Sequence, residues 1–97
     1  MTRIVFLAPA EDEMLEAAQY YESQIRGLGH EFLVEVQQTV ARILENPRLG
    51  QSVRRGIRRR LMPKFPFGVL YRIDPQEIVI IAVMHLRRRP GYWSDRV

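Results

Sequence analysis

The chain contains no cysteine. Disulfides, thiolate catalysis and cysteine-built zinc sites are excluded with it. Histidine is nearly absent too: His30 and His85 stand far apart in the chain, without metal-ligand spacing, so no metal and no cofactor is expected. Lys64 is the only lysine. No apolar run approaches the ~20 residues that a membrane span requires. Met1 to Ala8 is apolar but short and has no basic start, unlike a secretory signal. A cytoplasmic protein is the expectation. Gly-rich phosphate loops, HExxH and GxSxG are missing. Ser23, Ser52 and Ser94 stand in no recognisable nucleophile context, so classical nucleophilic hydrolysis is not expected.

What the chain has instead is arginine. Its 97 residues suffice for one domain, residues 1–97, with one modest core. The net charge of +4 hides a division. Residues 1–46 carry three arginines against eight acids, whereas residues 47–97 carry eleven arginines and one lysine against three acids. A basic half on a small domain points to an anionic partner such as nucleic acid, a ribosome or an acidic protein segment. A solvated face is the plainer reading, but solubility is commonly supplied by lysine and glutamate. Arginine is favoured where a planar cation pairs bidentately or stacks on rings.

Hydrophobic periodicity gives the elements. Arg3 to Leu7 reads as a strand, ended by Ala8-Pro9. A helix follows, with Glu11, Asp12 and Glu13 at its dipole-positive start and Leu15, Ala18, Tyr21 or Glu22, and Ile25 at helical spacing. After Gly27 and Gly29, a second helix carries Phe32, Val36, Val40 and Ile43 in one stripe and stops at Asn46-Pro47. Arg48 to Gly56 reads as a loop. Ile57 to Met62, Phe65 to Ile73 and Ile78 to Leu86 read as strands. The last of these is apolar at nearly every position, as a strand buried on both faces would be. The expected fold is α+β, in the order β-α-α-β-β-β. A helical hairpin packs on one face of a small, mainly antiparallel sheet, and the other face is left to the basic residues.

Several side chains are candidates for function. His85, at the end of a central strand and followed by Arg87, Arg88 and Arg89, is either a general acid or base or a structural histidine that fixes the tail. Arg58 and Arg60 point to one face of their strand and Arg59 to the other. If Pro63-Lys64 is a two-residue turn and Asp74 to Glu77 a four-residue one, Arg59 lies opposite Gly68 and Pro66 opposite His85. Arg59 and His85 then share a face, a result that a one-residue slip reverses. Arg72 either snorkels at the sheet edge or aims at the open face. Arg87, Arg88 and Arg89 with Tyr92 and Trp93 form the densest cation–aromatic cluster. The two aromatics either present that cluster or fold back to cap the sheet.

Element order, size and tail together resemble the ParE/RelE superfamily of type II toxin–antitoxin toxins. The resemblance is carried by Ala18, Tyr20 and Tyr21 on the hairpin, by LMPKFPFGVLYR (residues 61–72) and by IIAVMHLRRRPGYW (residues 80–93). It is closer to the ParE branch, often called plasmid-stabilisation proteins. That branch implies a toxin that stalls DNA gyrase on cleaved DNA without bond-making of its own. A cognate antitoxin with an acidic or amphipathic segment would neutralise it. Arg58, Arg60, Arg87, Arg88, Arg89, Tyr92 and Trp93 are then the expected target- or antitoxin-binding residues. The RelE branch implies instead a ribosome-dependent mRNA endonuclease, for which His85 would be acid or base and Arg59 and Arg72 phosphate clamps. A binding homologue that has lost toxicity is the third reading. Apolar surface on the hairpin would suit a homodimer or a toxin–antitoxin hetero-oligomer.

Overall fold

The computed structural model describes residues 2–97; Met1 lies outside the described residues. Strand β1 (Arg3–Phe6) leads into helices α1 (Ala8–Gln24) and α2 (Leu28–Glu45). Strands β2 (Gln51–Arg54), β3 (Ile57–Leu61), β4 (Phe67–Ile73) and β5 (Glu77–His85) follow. The sheet runs β1-β5-β4-β3-β2, with β1 parallel to β5 and the other pairs antiparallel. The helical hairpin carries the chain over one face from β1 at one edge of the sheet to β2 at the other, and the antiparallel meander then brings β5 back beside β1, parallel to it. The expected order holds, with one strand added. Residues 48–56 are not a plain loop, because they contain β2, which is exposed at all four positions. Its hairpin to β3 turns through Arg55 and Gly56, the glycine at φ +80°.

The helix stripe is half as expected. Phe32, Val36, Val40 and Ile43 of α2 are buried against Val69, Tyr71, Ile78, Ile80 and Val83. Removing such side chains from water stabilises by roughly 1.5–3 kcal/mol each. In α1, however, Leu15 and Ile25 are exposed, and Ala10, Met14, Ala17, Ala18 and Tyr21 face the core instead. The helices meet at Gly29, which is buried where α2 crosses α1 beside Ala18. The turn between them is capped from behind: the Glu22 carboxylate accepts the backbone N–H groups of Gly27 (2.9 Å) and Gly29 (3.0 Å). That satisfies donors which open the second helix.

Register departs from the turn-based expectation. Arg59 pairs with Leu70 and Leu61 with Gly68, while Phe67, not Pro66, lies opposite His85. Between Leu70–Ala82 and Tyr71–Ile80 the ladder slips by one residue, leaving Ile81 extra on β5. This bulge puts Ile81 and Ala82 on the same side, in one cluster with Ile57, Leu70, Met84 and Trp93. It also returns Val83 to the helix side beside Ile78 and Ile80. His85, two residues on, shares that side. Arg59 lies on the opposite face, with Leu70, so Arg59 and His85 do not share a face.

Candidate functional site

β5 ends at His85, and the chain turns there on two backbone bonds, Leu86 N–H to the Pro66 carbonyl (2.9 Å) and Arg88 N–H to the His85 carbonyl (3.0 Å). Arg87, Arg88 and Arg89 stand exposed on this turn. The tail then folds back across the sheet face that the helices leave open. Trp93 is 5% exposed and covers Ile57, Leu70, Ile81, Ala82 and Met84. The capping reading of this tryptophan therefore holds, and the same burial fixes a polar surface around it. The Arg54 guanidinium lies 5.3 Å from the Trp93 ring centre and donates to Ser94 Oγ at 2.7 Å. Arg88 lies 4.0 Å from the Tyr92 ring centre and Arg96 5.0 Å. Such stacking holds a cation in place without neutralising it.

Arg59 joins this surface from β3. Its stem runs over Gly68, where an added Cβ would come within 3.1 Å of the arginine Cγ and Cδ, and its Nη2 donates to Gln51 Oε1 at 2.9 Å. A cavity of about 200 Å³ opens between Arg59, Arg88, Leu86 and Trp93. Among the described residues the ion pairs are Arg3–Glu77, Lys64–Glu35, Arg72–Asp74 and Arg96–Glu13. Arg54, Arg55, Arg87, Arg88 and Arg89 thus face solvent without an internal acid.

The other candidates are distributed differently. Arg58 and Arg60 pair with Tyr71 and Val69, which face the helices, and Arg58 donates to the carbonyls of Arg48 (3.1 Å) and Gly50 (2.9 Å). Neither lies on the face that Trp93 covers. Arg72 is bonded twice to Asp74, at 2.9 and 3.1 Å, a pairing that lowers the Asp74 pKa and raises that of Arg72. His85 stands edge-on to Phe67, ring centres 5.1 Å apart, and its Nδ1 accepts the Arg87 N–H at 3.0 Å. A neutral ring therefore carries its proton on Nε2. His85 lines a cavity of about 390 Å³ together with Glu13, Glu16 and Arg88, so acids and a cation face it in mixture. His85, Arg59 and Arg72 are not brought together. Among the described residues no three His, Asp or Glu side chains converge to hold a metal ion. Among the described residues no helix is long and apolar enough to cross a membrane.

Glu13 and Arg54 escaped the sequence reading. Glu13 looked like a helix-start charge, yet it reaches the far end of the chain. Its carboxylate accepts Val83 N–H (3.1 Å), the Tyr92 hydroxyl (2.6 Å) and both terminal nitrogens of Arg96 (3.0 Å each). Arg96 also donates to the Ile81 carbonyl at 3.1 Å. The cause lies in the sheet. β1 leaves β5 after the Phe6–Ile80 pair, so Val83 N–H and the Ile81 carbonyl have no strand beside them. Backbone groups at such an edge require partners, and Glu13 and Arg96 supply them. Arg54 could have been found: Val53-Arg54-Arg55-Gly56-Ile57 carries glycine where a two-residue hairpin turn accepts positive φ.

Burial, reinforced by the bond to Glu13, pushes the Tyr92 phenol above its ordinary pKa of 10.0, and burial does the same to Tyr71. The folded state then keeps protons that the unfolded chain releases. Stability from these groups is complete below pH 10.0 and is lost as pH rises above it. Thermal melts are expected to fall steeply from about pH 10 upward, and Tyr92→Phe to flatten that slope. An equal alkaline slope in wild type and variant would remove Tyr92 from the account.

Residues 4–90 match the family model described as the ParE toxin of the type II toxin–antitoxin system parDE. The chain is similar to a solved chain from the chromosomal ParDE toxin–antitoxin system of P. aeruginosa, with a TM-score of 0.65 and 19% identity. The alignment covers 88% of this chain and 96% of that one, a likeness of fold. No curated protein matches the chain. With the family match spanning both helices and every strand but the first residue of β1, the chain belongs to the ParE toxins of type II toxin–antitoxin systems.

Proposed function

We propose that this toxin inhibits growth by engaging DNA gyrase through the arm formed by residues 87–93, and that a cognate antitoxin neutralises it with an acidic or amphipathic segment on the same surface. The observation that carries the reading is the set of arginines without internal acids, Arg54, Arg87, Arg88 and Arg89, arranged around Tyr92 and Trp93. Surfaces of this kind suit acidic protein segments, because guanidinium groups pair bidentately with carboxylates. The exposed apolar side chains Leu15, Tyr20, Ile25 and Leu44 offer the hairpin as a further contact for an amphipathic segment or a second copy. The site of action is the cytoplasm, where gyrase works. An mRNA endonuclease would need an acid–base group among free cations. Among the described residues His85 shares its cavity with two carboxylates and a single free cation, Arg88, while Arg72 is committed to Asp74 and Arg59 lies across the sheet.

Inducing the chain alone in bacteria, with thymidine and methionine incorporation followed in one culture, tests the reading. DNA synthesis is expected to fail first. Earlier failure of protein synthesis would overturn it in favour of the endonuclease, and undisturbed growth with folded protein present would point to a homologue without toxicity. Arg88→Glu is expected to abolish growth inhibition while shifting stability by no more than ~0.5 kcal/mol, because the side chain is exposed. Loss of a cooperative melt in that variant would contradict it.

A further inference from the structure

We infer that Glu13 is the positioning residue of the arm, a carboxylate on the first helix that holds Tyr92 and Arg96 so that Arg88 and Trp93 are presented in one fixed posture. The inference rests on the arm being the docking surface. Tyr92, Trp93 and Arg96 follow the segment that matches the ParE family, residues 4–90, and contacts to α1 and β5 fix them. Those contacts converge on one group. Glu13 receives both Arg96 nitrogens and the Tyr92 hydroxyl, and it ties them to β5 through Val83 N–H. Arg88 in turn stacks on Tyr92 at 4.0 Å, and Trp93 is the residue next along the chain. The side chains of Glu13 and Arg96 are 14% and 16% exposed, so water screens their bidentate pairing far less than that of a surface pair. Beyond Tyr92, the tail turns once, with Ser94 N–H bonded to the Gly91 carbonyl and Arg96 N–H to that of Trp93. That turn returns Arg96 to α1. Without the carboxylate, Arg96 and the Tyr92 hydroxyl lose their common acceptor, and the segment is left with Trp93 burial and the single bonds of Arg96 to the Ile81 carbonyl and of Arg54 to Ser94.

Trp93 is the only tryptophan, so its fluorescence reports the arm directly. The variant is Glu13→Gln, which keeps the side-chain volume, and the binding probe is poly-L-glutamate. Trp93 emission is expected to shift to the red with several-fold greater acrylamide quenching, while the far-ultraviolet circular dichroism stays unchanged. Affinity for polyglutamate is expected to fall roughly tenfold, as the loss of charge-assisted bonds that order the arm implies. Charge alone predicts the reverse, since the variant is more positive by one. Unchanged Trp93 fluorescence would overturn the inference, and so would a released Trp93 with equal or tighter polyglutamate binding. If Glu13→Gln does not melt cooperatively, Tyr92→Phe decides the same question, because it keeps the ring under Arg88 and removes one bond to Glu13. Wild-type protein that binds no polyglutamate would sink the acidic-partner reading. Trp93 fluorescence would then decide the anchor by itself, a red shift upholding it and its absence overturning it.

Discussion

Gly29→Val is expected to leave the chain without a cooperative melt. Gly29 is buried at the helix crossing, and a Cβ there would sit 2.4 Å from the Ala18 carbonyl oxygen and 2.9 Å from Glu22 Cβ. The first neighbour is backbone within α1 and cannot turn aside as a side chain would. The second belongs to the residue whose carboxylate holds Gly27 N–H and Gly29 N–H. Relief requires the two helices to separate. Overpacking of this sort costs about 1–3 kcal/mol and sometimes more. Losing the Glu22 bonds adds about 1 kcal/mol, the value of a helix cap. Separation would also loosen Phe32 and Val36 from the sheet, each worth a further ~1.5–3 kcal/mol if exposed. Domains of this size are stable by only ~5–15 kcal/mol. Urea titration followed by circular dichroism checks the expectation. A midpoint within error of wild type would show that the helices can part at little cost.

The helix that carries Gly29 was legible because its apolar residues recur without interruption at helical spacing. The first helix was legible as a helix but not by face. Leu15 and Ile25 fit the same period as Ala18, and only packing against the sheet decides that Ala10, Met14 and Tyr21 turn inward. β2 gives no alternation to read, being an edge strand exposed at every position, and only the Arg55-Gly56 turn marks it in the sequence. The face of His85 was lost to the bulge at Ile81. β5 is apolar on both sides, so its composition could not mark where the alternation slips, and one extra residue reverses the side of everything after it.

The site divides along the same line. Its local part, Arg87 to Arg89 with Tyr92 and Trp93, could be read from neighbouring residues in the chain. Its non-local part could not. Glu13 and Arg96 are 83 residues apart and meet because β1 stops short of the end of β5, which is a property of the sheet rather than of either segment. Arg54 meets Trp93 for a related reason: β2 and the folded-back tail both reach the face opposite the helices, and only the assembled sheet places them together.

Trp93→Ala is expected to lower stability and to disable docking together. The ring is buried on Ile57, Leu70, Ile81, Ala82 and Met84, and no helix covers that face if it is removed. Deleting a large buried aromatic side chain costs about 3–5 kcal/mol. The lost surface also carries function, since Arg54 would have no ring beneath it and the cavity beside Arg59 would have no wall. Trp93→Phe separates the two effects. Phenylalanine restores much of the apolar cover, so stability is expected to recover to within about 1–2 kcal/mol of wild type, by analogy with smaller core truncations. Phenylalanine is a smaller and poorer cation–π partner than tryptophan, so the hold on Arg54 weakens even when the fold is kept. In urea, the midpoints should rank wild type, Trp93→Phe, Trp93→Ala. Growth inhibition after induction should already be reduced in the phenylalanine variant, at equal amounts of folded protein. Full inhibition by Trp93→Phe would assign the tryptophan to packing alone and leave docking to Arg87, Arg88 and Arg89. A Trp93→Ala midpoint equal to wild type would show that the tail contributes nothing to the core it covers.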